Sequence, residues 1–105
     1  MAATTANEIL SFVVAADGTL SGPATFASVQ APDGFAVDQA GNLYIAGQAA
    51  GLGALVVVTA AGKVLGSIPI AEGPTNCGFG GNEGKTLFVT ARTALYSVAA
   101  PIPGL

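Results

Sequence analysis

Two stretches of the chain follow one plan. "GFAVDQAGNLYIAGQAAGLGALVVVT", Gly34 to Thr59, and "NCGFGGNEGKTLFVTARTALYSV", Asn76 to Val98, each run through the same order. A short strand leads to a glycine-containing turn, a strand of the form Leu-aromatic-Ile/Val-Ala/Thr, a loop of small residues and another strand. Leu43 falls on Leu87, Tyr44 on Phe88, Ile45 on Val89 and, after a shorter loop, Leu55 on Leu95. A unit of about four short strands with a period in the forties is the signature of β-propeller blades, which bury their faces by stacking on their neighbours. The chain holds roughly two and a half such units, whereas propellers close around an axis with about 4–8 blades. It cannot close a ring alone.

The rest of the sequence agrees with an all-β reading. Fifteen glycines and six prolines punctuate the apolar runs, so no helix of about ten or more residues finds room. About nine short strands are predicted: "EILSFVV", "PATFAS", "GFAVD", "NLYIAG", "ALVVVT", "KVLGSIPI", "NCGFG", "TLFVTA" and "ALYSV". They divide into the end of one blade over 7–28, a full blade of four antiparallel strands over 29–71, and most of the next over 72–98. Asp17-Gly18, Asp38 to Asn42 and Asn82 to Lys85 put Asx or Glu beside glycine where the backbone must turn, so Asp17, Asp38 and Glu83 read as turn residues. Alternation and the repeat direct Leu43, Ile45, Leu55, Val57, Leu87, Val89 and Leu95 into the packing between sheets.

Composition narrows the chemistry. Hydrophobic residues make up 51% and charged residues 9%, and three cations with a net charge of -3 are too few to neutralise a run of phosphates, which argues against a nucleic-acid partner. With no histidine and one cysteine, Ser-His-Asp and Cys-His catalysis, imidazole zinc sites, disulfides and cysteine metal cages are excluded within this chain. Cys77 has no nearby cation in sequence to lower its pKa and reads as a small buried residue. "GFGGNEGKT" fails as a phosphate loop, because the spacing puts Phe79 where its first glycine belongs and a strand follows. The role of Arg92 is left open. The first ten residues lack a signal-peptide pattern and no apolar run reaches the ~20 residues of a membrane helix, so the expectation is a cytoplasmic chain without a membrane partner.

Three pieces carry a specific resemblance: the Pro32-Asp33-Gly34 turn, the hairpin "DQAGNLY" from Asp38 to Tyr44, and "TNCGFGG" followed by "LFVTA". From about Asn7 to Val98 the order resembles the C-terminal part of the gluconolactonase / senescence marker protein / luciferin-regenerating enzyme family. The resemblance implies a six-bladed propeller that hydrolyses sugar lactones and related esters, with one divalent cation at the mouth of the channel: calcium, or else zinc or magnesium. It makes this chain the end of blade four, blade five and most of blade six. It implies that Asp33 is a metal ligand and also the catalytic base that activates water. The fixed φ of Pro32 and a permissive Gly34 suit a carboxylate ligand for a hard cation; the alternative is a turn-forming Asp. Thr75 and Asn76 open the equivalent strand of the next blade and are candidate substrate-binding residues, or an ordinary turn after Pro74. The family's other ligands, a Glu near its N-terminus and an Asn in its middle blades, have no counterpart here.

Two functions follow as expectations. One is a portion of a lactonase-type hydrolase with a small lactone as substrate, inactive alone and completed by missing N-terminal blades or by further copies in a homo-oligomer. The other is a non-catalytic, self-assembling blade unit or small-molecule binding module.

Overall fold

The computed structural model describes all 105 residues, and its regular structure is strand apart from one 3-10 turn at Thr4–Ala6. In chain order the strands are β1 (Ala2–Ala3), β2 (Glu8–Val14), β3 (Leu20–Ser28), β4 (Phe35–Val37), β5 (Leu43–Ala49), β6 (Leu52–Val58), β7 (Val64–Pro69), β8 (Asn76–Gly80), β9 (Thr86–Thr90) and β10 (Leu95–Ala99). They form three antiparallel sheets, β1-β2-β3, β4-β5-β6-β7 and β8-β9-β10. Each of the nine strands expected from the sequence is present; β1 is additional.

The three expected turns form, two of them with the expected carboxylate; at the third the exposed Glu83 side chain takes no hydrogen bond and the turn rests on its glycines. Gly18, Gly41 and Gly84 hold φ of 87°, 85° and 67°, a region open to glycine at little steric cost. Asp17 accepts from the Thr19 N–H at 3.0 Å and from its hydroxyl at 2.7 Å. Asp38 is fully buried and accepts from the N–H groups of Ala40 and Asn42, from the Asn42 side chain, and from the Tyr44 hydroxyl at 3.2 Å. The turn between β6 and β7 uses Gly62 in the same way, with the Thr59 hydroxyl accepting from the Lys63 N–H.

Core formation happens between sheets. The first interface packs Ile9, Ala27 and Val29 against Ile45, Val56 and Val58. The second packs Tyr44, Ala46 and Leu55 against Leu87 and Val89. Thus β5 and β6 send alternate side chains to opposite neighbours, as period-2 geometry requires. Leu95 corrects the expected core: it is 66% exposed. Its register is nonetheless that of Leu55, since Leu55 pairs with Ala46 and Leu95 with the equivalent Thr90. Leu55 faces the third sheet, whereas no further sheet covers Leu95 or Phe88 in this chain. The repeat assigned the face correctly; the neighbour needed to bury it is absent.

Candidate functional site

β4 and β8 are the first strands of their sheets and lie side by side, both running away from the same end of the molecule, here called the upper end. Asp33 stands just above β4. Its N–H donates to the Ala46 carbonyl at 2.8 Å, and the Ala46 N–H returns to the Gly34 carbonyl at 2.9 Å. The buried Pro32 accepts the Thr4 hydroxyl on its carbonyl at 2.6 Å. The backbone around Asp33 is therefore fixed, while its side chain is exposed and receives no hydrogen bond from the chain.

The upper end of β8 meets this turn directly. Gly34 donates its N–H to the Thr75 carbonyl at 2.9 Å. Asn76 lies over Gly34 so closely that a Cβ on residue 34 would fall 2.0 Å from Asn76 Oδ1 and 2.9 Å from its Cβ, so a side chain there would push Asn76 aside. The Asn76 Oδ1 accepts from the Cys77 N–H at 2.8 Å, and the Thr75 hydroxyl lies 3.0 Å from that of Thr90. Asp33, Thr75 and Asn76, singled out on opposite sides of forty residues of sequence, thus share one rim.

Two further groups occupy this end. Thr90, opposite Asn76 in the β8–β9 register, was not selected from the sequence. Glu72 accepts from the Thr93 hydroxyl and N–H and from Tyr96, and Thr93 foremost holds its carboxyl below the ordinary range, with Arg92 adding a smaller charge effect. Arg92 is accordingly placed beside the Glu72-Gly73 loop. Thr90 lies within the repeat, equivalent to Ala46, and only its pairing with Asn76 brings it to the rim; Glu72 had no motif around it.

Cys77 is half-buried, and burial pushes its thiol up to about 11 while it donates to the Tyr44 carbonyl at 3.1 Å. A thiol so placed is a poor nucleophile at neutral pH.

The donors present do not by themselves fit a divalent-cation centre. No three carboxylate, thiol or imidazole groups converge, Glu72 at the same end is engaged by Thr93 and Tyr96, and the chain encloses no pocket. A hard cation of this class wants about six to eight oxygen ligands.

Successive antiparallel sheets stacked face to face around converging first strands define part of a β-propeller. A sequence profile of the SMP-30/gluconolactonase/LRE-like region matches residues 1–93, and the chain belongs to that family. Among solved structures, a protein assigned as a gluconolactonase superposes with a TM-score of 0.87 at 27% identity over 97% of this chain and 34% of its own. A gluconolactonase from Xanthomonas campestris, described as important in glucose secondary metabolic pathways, is 31% identical over 93% of this chain and 30% of its own, with a TM-score of 0.67. Luciferin-regenerating enzyme shares the fold at 18% identity, with a TM-score of 0.79, over 94% of this chain and 40% of its own. No curated protein matches the sequence. The chain spans 30–40% of the length of these three structures.

Proposed function

We propose that this chain is a portion of a lactonase-type hydrolase, supplying two and a half blades of a ring whose complete form opens sugar lactones or related esters. The observation that carries this reading is the meeting of an unengaged Asp33 with Thr75 and Asn76 at the shared upper rim of two first strands, in a member of a gluconolactonase family. In the complete ring Asp33 contributes one carboxylate toward a divalent cation, calcium by preference for an all-oxygen site, and Thr75 and Asn76 offer polar contacts to the lactone. The remaining ligands come from blades outside these residues. The 105-residue chain alone is inactive and holds calcium no more tightly than about millimolar, the range of weak oxygen sites.

The test is to join the chain to the missing blades of a family member and follow gluconolactone hydrolysis. The joined protein is expected to be active and its Asp33→Asn form inactive, while the isolated chain gives no turnover. Turnover by the isolated chain, or full activity in the Asp33→Asn form, overturns the assignment. A second reading, a self-assembling blade unit, draws on the exposed Val13, Val14, Phe88 and Leu95, which other sheets of the same kind would cover.

A further inference from the structure

Residues 100–105, "APIPGL", follow the last strand and return beneath β4 and β8. On the β4 side the Gln39 N–H donates to the Pro103 carbonyl at 2.9 Å and the Leu105 N–H donates to the Val37 carbonyl at 3.0 Å. On the β8–β9 side the Gly104 N–H donates to the Gly84 carbonyl at 2.9 Å and the Ala100 N–H to the Lys85 carbonyl at 2.8 Å. One short segment thus bonds to two sheets that share no strand ladder with each other.

We propose that residues 100–105 are a clasp: they tie together the lower ends of β4 and β8 and so hold the upper ends, which carry Asp33 and Asn76, in fixed register. This does not rest on the lactonase reading. The seat is specific, because a Cβ on Gly104 would fall 2.3 Å from the Phe79 Cβ, and any side chain there must lift the segment or displace β8. The contacts also form a circuit. Phe79 sits edge-on to Tyr44 with ring centroids 5.4 Å apart, the Tyr44 hydroxyl donates to Asp38, and Asp38 holds the turn whose Gln39 N–H meets Pro103. At the upper end the pair is joined by the Gly34–Thr75 hydrogen bond and the Asn76 contact. β8 spans only about 17 Å at the usual rise per residue, so with the lower end freed the relative tilt of the two sheets is left to that upper joint and to the packing of Tyr44, Ala46 and Leu55 against Leu87 and Val89. Gly104 and Phe79 are then positioning residues for the rim.

Amide hydrogen exchange, resolved by residue in the 105-residue chain, tests this with two variants. Gly104→Ala is expected to speed exchange about tenfold at Gln39 and at Gly34, the loss expected for one main-chain bond opening, with Ile45 and Val56 unchanged. Pro103→Ala, which keeps the accepting carbonyl, is expected to behave as the parent. Acceleration at Gln39 alone would reduce the segment to a local cap and refute the positioning role. Acceleration spreading to Ile45 and Val56, no change at either reporter, or equal effects in both variants would likewise overturn the clasp.

Discussion

Replacing Asp38 tests how a buried charge without a cation holds a blade together. Its carboxylate receives four donors: Ala40 N–H at 2.9 Å, Asn42 N–H and Asn42 Nδ2 each at 3.0 Å, and the Tyr44 hydroxyl at 3.2 Å. Asp38→Ala strands all four. The turn donors lie near water and recover part of the loss, whereas the Tyr44 hydroxyl is buried. Counting about 1 kcal/mol for most of these donors gives a destabilisation of about 3 kcal/mol, or roughly 15 °C in Tm for a chain of this size. Asp38→Asn keeps the oxygen that serves the turn but turns an amide toward Asn42 Nδ2, and is expected to cost about 1–2 kcal/mol.

The pH dependence carries a sign. Burial raises the Asp38 pKa, but the hydrogen bonds from Asn42, Ala40 and Tyr44 outweigh it and hold the carboxyl below its ordinary value. The unfolded chain, with a carboxyl near about 3.9, therefore binds more protons than the folded one in the window below about pH 4. This stabilisation is fully present above that value and is lost as pH falls through the folded pKa. Thermal melts of the parent and both variants from pH 7 to 3 measure it. Asp17 and Glu72 act in the same direction in all three proteins, so the difference between parent and Asp38→Asn isolates Asp38. Parallel pH profiles for those two, or a cost for Asp38→Ala under about 0.5 kcal/mol, would refute the reasoning.

Other outcomes follow from burial and exposure. With its thiol near 11, Cys77 is about one part in a thousand thiolate at pH 8, so its alkylation is expected to run at least about a hundredfold slower in the native chain than in urea; equal rates contradict the placement. Leu55→Ala is expected to cost about 2–5 kcal/mol in denaturant melts, against about 0.5 or less for Leu95→Ala, although the two occupy equivalent registers. In a complete ring that covers the outer face, the two costs should converge. The exposed Val13, Val14, Phe88 and Leu95 and the unpaired edge of β10 favour association. Light scattering at tens of micromolar, an order-of-magnitude choice for contacts of this kind, should therefore detect dimers or larger species, and a clean monomer would count against this.

What the sequence made legible was whatever leaves a local side-chain pattern. "NLYIAG" and "TLFVTA" alternate, and Asp-x-x-Gly-Asn at Asp38 to Asn42 supplies both the αL position and the capping carboxylate, so strand and turn follow from neighbours in sequence. The exposure of Leu95 and Phe88 was not legible, because burial belongs to the facing sheet rather than to the strand. Neither was the seat of residues 100–105: its two prolines break any alternation, and its bonds are made by the main chain, which leaves no trace in residue type. The nearness of Asp33 to Asn76 was half legible. The repeat put Asp33 with Thr75 and Gly34 with Asn76 at equivalent points of successive blades, but the close approach of Asn76 to Gly34 is visible only in the packed structure.

Asp33 and Asp38 bracket β4, and the same substitution at each should give opposite results. Asp38→Asn disturbs a carboxylate that four donors use. Asp33→Asn removes a charge that no group in the chain engages, while the backbone bonds from Asp33 and Gly34 remain. On a net charge of -3, losing one exposed negative charge changes self-repulsion little. Asp33→Asn is therefore expected to leave stability within about 0.5 kcal/mol of the parent across neutral pH. That neutrality is informative, because a turn-forming aspartate stabilises its turn through its side chain and its loss costs about 0.5–2 kcal/mol, by analogy with helix caps. A drop of that size in the melts would return Asp33 to turn chemistry and remove the main support for a ligand role. No drop leaves Asp33 free of turn duty on a fixed backbone at the rim of two blades, and the hydrolysis assay on the Asp33→Asn form of the joined protein then decides its ligand role.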